Sequence, residues 1–338
     1  MSPETQKQAK EALFSEMKNR NLATWVSESA VFVILTSSII LCNVLVLKAI
    51  QQNARLRSPS YLYIMAIAFG DLLTGISRGP LLCYYFMTGE WDLSETVCSV
   101  QGFILTAATT NTIITLGLMA IQRYLRVVRQ TLHDRFFRRN TTLLTVGVSW
   151  LISIVIMAGQ LTNAGFQFHP GYGFCQVLPE KVRASFFFFI LLIIIPLIAI
   201  YVFYIRVYVY ARSHNHAMAT TGVSARELKT TKYLFVALCA FTLCFIPLMA
   251  ASRYESLNAA FFTLPRSLCA FVSMLWLCSC IANPLIYIIF NQTFRREVAK
   301  VLHLEKMTRS RKIDVSSTGE SRSLSFFTKS QRNKKDDQ

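Results

Sequence analysis

The sequence predicts an all-α membrane protein, a bundle of seven transmembrane helices followed by a short amphipathic eighth helix. Three observations carry this. Seven apolar runs each reach roughly 20 residues or more, the length that crosses a hydrocarbon core of about 30 Å as a helix. Charged residues make up only 16% of the 338-residue chain against 53% hydrophobic, and they gather between the runs and at the two ends. Backbone groups in lipid must be satisfied within their own segment, so runs of this kind span as helices.

The spans read, in order, as residues 30–50, 60–87, 98–123, 141–160, 184–210, 232–251 and 268–290. Residues 1–25 form a polar N-terminal arm with no apolar stretch of the kind found in signal peptides. Residues 26–304 form the membrane domain with its eighth helix. Residues 305–338, rich in Ser, Thr, Lys and Arg, read as a disordered tail. The loop between the third and fourth spans carries Arg126, Arg129, Arg135, Arg138 and Arg139 against Asp134, whereas Glu90, Asp92 and Glu95 follow the second span with no Lys or Arg. Basic loops stay cytoplasmic. The expected arrangement is a multi-pass protein of the plasma membrane, N-terminus extracellular and tail cytoplasmic. The net charge of +17 sits in loops and tail, so it speaks for orientation and not for nucleic-acid binding. After the seventh span, Phe294, Val298, Val301 and Leu302 recur at helical spacing among Arg295, Arg296 and Lys300, as in a helix lying on a lipid surface.

Of nine cysteines, seven fall in apolar spans and read as small buried hydrophobes. Cys98, at the outer end of the third span, and Cys175, in the loop after the fourth, face an oxidising space and are expected to form a disulfide. Asp71 lies midway through the second span, where an ionisable group marks a functional site by default, with Asn43 and Asn283 as candidate partners. Arg78 lies two turns beyond it, either snorkelling to water or pointing into a cavity to meet an anion. Pro80, Pro196, Pro247 and Pro284 fall inside spans, where each removes a backbone hydrogen bond.

The pattern Asn283-Pro284-Leu285-Ile286-Tyr287 and Phe294, together with Asn43, Asp71, Arg123-Tyr124, Trp150, Pro196, Tyr204 and Phe241-x-x-Cys244-Phe245-x-Pro247, resembles a rhodopsin-like (class A) G-protein-coupled receptor. One marker falls in every span, in the family's order, and no subfamily stands out. The resemblance implies that Arg123 meets a heterotrimeric G protein when the bundle opens, with Glu227 its partner in the closed state. It implies that Tyr204 and Tyr287 move inward to hold Arg123, and that Phe241, Phe245 and Pro247 form the packing switch and hinge of the sixth span. Gln122 stands where the family has an Asp, so Arg123 lacks its neighbouring carboxylate. Raised basal activity, held back mainly by Glu227, is the expectation. Around Asp71 the family often holds a sodium ion; Thr112, Ser279 and Asn283 are the matching positions, with Cys280 beside them, a softer set than the family's Ser and Asn.

The resemblance places the ligand among the outer halves of spans three, five, six and seven. Leu105 stands where monoamine receptors have an Asp, and Leu277 where opsins have the retinal-linking Lys. The expected lining is Thr106, Thr109, Phe188, Phe189, Leu192, Phe245, Leu248, Met249, Ser252 and Ser273, with Arg78 the cation at cavity depth. Such a wall suits an uncharged or acidic lipophilic small molecule; a peptide ligand and a non-signalling decoy are the alternatives within the family. Ser316, Ser317, Thr318, Ser321, Ser323 and Ser325 are candidate sites for receptor kinases, whose phosphates would recruit arrestin. No cofactor or metal is expected. A transporter would show internal repeats and several midplane charges. An enzyme would need a catalytic cluster, and all five histidines fall outside the spans.

Overall fold

The computed structural model describes residues 2–53, 56, 58–163, 165–177, 190–213, 225–257 and 262–302. Among these, seven helices are long and apolar enough to cross a membrane. A short helix α1 (Pro3–Lys18) precedes them. The first four spans are α2 (Leu22–Gln52), α3 (Pro59–Thr88), α4 (Glu95–Val128) and α6 (Arg139–Asn163), with a short α5 (Gln130–Phe136) between the last two. Strands β1 (Phe166–His169) and β2 (Phe174–Val177) follow. The last three spans are α7 (Ile195–Ser213), α8 (Ala225–Leu257) and α9 (Arg266–Phe290), and α10 (Gln292–Val301) closes the described chain.

The helices outrun the apolar runs because polar caps sit beyond the lipid-compatible stretch. Asn21 Oδ1 accepts the Thr24 N–H at 2.8 Å and starts α2 at Leu22, not at residue 30. Ser94 caps α4 through the Val97 N–H, and Pro59 occupies the first turn of α3, where a missing N–H costs nothing. Gly89 ends α3 in the left-handed conformation, φ 74°. A π-helical turn (Ile190–Ile194) leads into α7, beside Pro196, which cannot supply an α-helical N–H there.

Polarity is inverted relative to a water-soluble bundle. Leu144, Leu151, Val155, Ile198 and Leu243 face outward, whereas Asn43, Asp71, Arg78 and Asn283 are buried. One apolar cluster runs the length of the bundle from Leu105 and Phe174 through Phe241 and Phe245 to Tyr287 and Phe294. The N-terminal arm departs from the plain polar segment expected. Leu13 and Met17 of α1 are buried, and Phe14 packs 6.1 Å from both Tyr85 and Phe168. The eighth helix is present, with Phe294 and Val298 buried, while Leu302 lies past its end and is exposed.

Candidate functional site

The two strands pair antiparallel, Phe168 opposite Cys175, and turn through Pro170–Gly173 over the end of the bundle that carries the N-terminus. Gly173 takes φ 68° in that turn. Gly102 lets Phe166 lie directly on α4; an added Cβ there would sit 2.2 Å from the ring. The Cys98–Cys175 disulfide ties β2 to α4, as expected, and Gln101 Oε1 accepts the Cys175 N–H at 3.0 Å.

Beneath the hairpin lies a cavity of about 150 Å³. Leu105, Thr106, Thr109, Leu192, Phe245, Leu248, Met249 and Ser252 line it, joined by Phe174, Gln176 and Trp276. Thr106 donates to the Gly102 carbonyl at 2.7 Å and Thr109 to that of Leu105 at 2.8 Å, so this part of the wall is in effect apolar, and the cation that lines the cavity is Arg253, not Arg78 as expected. Ser252 donates to Gln176 Oε1 at 3.3 Å, while Gln176 Nε2 has no acceptor among the described residues.

Three expected lining residues do not reach the cavity. Arg78 lies against the rings of Phe174 and Trp276, which line it in its place, at 4.5 and 4.6 Å from their centroids. Ser273 turns away to donate to the Tyr172 carbonyl at 2.7 Å, and Leu277 packs among Ile39, Leu82 and Cys280. Phe188 and Phe189 lie outside the described residues. Arg78 is fully buried, so it does not snorkel.

The hairpin also carries a buried polar cluster that sequence reasoning missed. Tyr172 donates through its hydroxyl to Glu255 Oε2 at 3.1 Å, and His169 Nε2 stands 3.2 Å from the same oxygen. The Tyr172 N–H donates to His169 Nδ1, which leaves the imidazole proton on Nε2, facing the carboxylate. Burial pushes the His169 imidazole below its usual range against the pull of Glu255. Glu255 Oε1 accepts the Leu264 N–H at 3.3 Å. Nearby, Glu28 accepts from Arg20 at 2.8 Å and from Arg266 at 2.9 Å, tying α2 to α9.

At mid-depth Asn283 donates to Asp71 Oδ2 at 3.4 Å. Asn43 instead donates to the Ile39 and Cys280 carbonyls. Ser279 donates to the Trp276 carbonyl at 2.6 Å, and Thr112 is buried nearby. The Cys280 thiol lies beside Asp71, a softer neighbour than the oxygen ligands that sodium takes.

The opposite end of the bundle holds a directed chain of hydrogen bonds. Arg123 Nη2 donates to Ser60 Oγ, and Ser60 donates to Gln122 Oε1 at 3.1 Å. Gln122 Nε2, a donor only, stands 3.0 Å from His133 Nε2, which must therefore accept. His133 Nδ1–H then donates to Asp134 Oδ1 at 2.9 Å, which also accepts from Arg126. Burial holds the His133 imidazole below its usual range. The place of the family's neighbouring carboxylate is thus taken by an amide linked to a histidine on α5. Tyr124 packs 5.5 Å from Phe203. The side chain of Glu227 lies outside the described residues, as do Ser316, Ser317, Thr318, Ser321, Ser323 and Ser325.

Asn291 is a second junction at this end. Its Nδ2 donates to Tyr61 at 2.8 Å and to Tyr233 of α8 at 3.1 Å, while Oδ1 caps α10 through the Phe294 N–H. Tyr287 packs 6.3 Å from both Tyr233 and Phe294, and Tyr204 5.6 Å from Phe235. Between α7 and α8 opens a space of about 740 Å³ lined by Tyr204, Tyr208, Arg212 and Lys232 among others. Phe241 stacks on Phe245 with centroids 5.1 Å apart, linking the cavity wall to the middle of α8.

Residues 42–287 match the model of the rhodopsin family of seven-transmembrane receptors. The human melatonin receptor type 1B is 22% identical over 286 residues, covering 82% of this chain and 79% of the relative. The Gallus gallus melatonin receptor type 1C is 22% identical, covering 86% of each chain. Squid rhodopsin superposes with a TM-score of 0.72 at 19% identity, over 83% of this chain and 86% of its own, a likeness of fold.

Proposed function

The chain belongs to the rhodopsin family of seven-transmembrane receptors, and we propose that it is a plasma-membrane receptor, N-terminus outside, that couples a lipophilic small molecule to heterotrimeric G proteins. It is a multi-pass membrane receptor and not an enzyme. The ligand, uncharged or acidic, occupies the cavity under the hairpin. Outward movement of α8 exposes Arg123 to the G protein. Receptor kinases acting on the tail serines, and arrestin after them, complete the partners.

The observation that carries this reading is the continuity of α8. Phe245 forms part of the cavity wall, stacks on Phe241, and shares its helix with Tyr233, which Asn291 holds. A ligand that presses on Phe245 acts on a helix that carries, toward its far end, the neutral hydrogen bond between Tyr233 and Asn291. Two packings of the bundle then differ by terms a ligand can supply, and binding shifts their populations. The relatives' names specify melatonin, and a small molecule of that kind is consistent with the proposed lipophilic ligand.

The test is nucleotide exchange in cells over a panel of G-protein families, wild type against Arg123→Ala at matched surface expression. Basal or ligand-driven exchange that disappears in the variant establishes coupling and names the G protein. Exchange that survives removal of Arg123 rejects the reading.

A further inference from the structure

Arg78 presents a buried cation for which the described residues supply no counter-ion. Its side chain is fully buried within the bundle. Nη2 donates to Ser273 Oγ and, at 3.3 Å, to the Tyr172 carbonyl; both acceptors are neutral. Among the described residues Nε and Nη1 have no acceptor and Arg78 makes no ion pair. The carboxylate of the nearby cluster, Glu255, is committed to Tyr172, His169 and the Leu264 N–H. Asp71, two turns away on the same helix, takes the Asn283 amide.

The guanidinium is nevertheless held in a defined place. Phe174 and Trp276 flank it at 4.5 and 4.6 Å, and these two rings also form part of the cavity wall. A planar cation packed on aromatic faces keeps its N–H edge for an acceptor in the plane. An unpaired buried charge is costly, and an apolar side chain of similar size is often as stable or more so. A purely structural role at this position would be served by a neutral residue.

We propose that Arg78 is an anion site behind the Phe174–Trp276 wall of the ligand cavity, taking a monovalent anion on Nη1 and Nε. The anion is either the carboxylate of the lipophilic ligand or a free chloride ion; both offer the compact negative charge that the guanidinium lacks. The carboxylate source rests on the cavity being the ligand site. The chloride source does not.

The experiment measures the melting temperature of the purified full-length receptor, wild type against Arg78→Met. Ionic strength is held constant with sulfate while sodium chloride, or a series from butyrate to decanoate with indole-3-acetate, is titrated in. The wild type should gain about 5 °C at saturation, and Arg78→Met should not respond. A chloride response without further gain from carboxylates assigns a free ion; a gain that grows with the carboxylate's apolar body, above any chloride effect, assigns the ligand's acid group. If Arg78→Met does not fold, Arg78→Gln keeps an N–H for the Tyr172 carbonyl without the charge and answers the same question. A wild type that responds to neither probe series, or a neutral variant that responds equally, overturns the site. Flat anion titrations alongside intact Arg123-dependent exchange reject the anion site alone. A chloride response in a receptor that never supports exchange rejects the signalling reading and leaves the site standing.

Discussion

The two ends of the bundle are held by different kinds of bond. The hairpin end has a disulfide, the Glu255 cluster, and Glu28 gripped by two arginines, so α2, α4, α8, α9 and the hairpin are joined by covalent or charge-assisted contacts. At the α10 end the described side-chain contact between α8 and α10's cap is the neutral hydrogen bond of Asn291 on Tyr233, beside a space of about 740 Å³ between α7 and α8. A neutral hydrogen bond nets only about 0.5–1.5 kcal/mol. One end is therefore a fixed frame around a cavity. The other is held by terms small enough for a ligand to outweigh, since swinging a 1:99 population to 99:1 takes about 5.5 kcal/mol.

The largest effect that tests this contrast should come from Glu255→Ala. It leaves Tyr172, His169 and the Leu264 N–H without their shared acceptor in a fully buried site. With His169 neutral, what is left behind is a set of buried donors without an acceptor, at a cost of about 1–3 kcal/mol each. The expected outcome is a marked fall in melting temperature and surface expression, read by thermal denaturation and cell-surface labelling. A variant as stable as wild type would mean that the hairpin end is no stiffer than the other.

Tyr233→Phe should have a smaller and opposite effect on signalling. It removes only the hydroxyl that Asn291 holds and leaves the ring packing intact. Loss of about 0.5–1.4 kcal/mol from the closed packing raises basal exchange roughly 2- to 10-fold. Asn291→Ala should do the same and also lose the α10 cap, worth about 1 kcal/mol. If Tyr233→Phe lowers basal exchange instead, the contact belongs to the open packing, and the comparison of the two ends has to be redrawn.

The same contrast separates what was legible in the sequence from what was not. The seven spans, the disulfide and the eighth helix rest on features that need no partner: an apolar run, an outward cysteine pair, a helical stripe. The hairpin was missed although Pro170-Gly171-Tyr172-Gly173 is a strong turn signal between two short aromatic segments, because attention to apolar length passes over strands of four residues. Phe174 and Gln176 reach the cavity only through that hairpin, so a lining read from helices alone left them out. Leu13, Phe14 and Met17 carry helical spacing, yet in a polar arm they show their purpose only once Tyr85 and Phe168 are beside them. His133 reads as one of five histidines outside the spans, and one of its partners is an amide eleven residues back along the chain.

That amide–imidazole contact yields the smallest and most specific prediction. His133 accepts from Gln122 only while neutral. Asp134, Arg126 and Arg123 are the charged groups that act on it, and burial outweighs the pull of Asp134 to hold its pKa below the usual 6.5. A histidine with a lowered folded-state pKa binds its proton later than the unfolded chain does. Stability is therefore level above about pH 6.5 and falls as the pH drops from there through the lowered folded-state value. Protonation places an N–H on Nε2 against the Gln122 N–H₂, two donors face to face, and loosens the chain that reaches Arg123 through Ser60. Basal exchange in open membranes should rise roughly 2- to 5-fold as the pH drops from about 7.5 through the lowered folded-state value, about the worth of one neutral hydrogen bond, relative to His133→Phe measured with the same G protein. Gln122→Glu sharpens the test, because a carboxylate accepts from the imidazolium and should reverse the sign of the pH response. A pH profile that His133→Phe leaves unchanged would place the restraint on Arg123 elsewhere, and the α10 end would then owe nothing to α5.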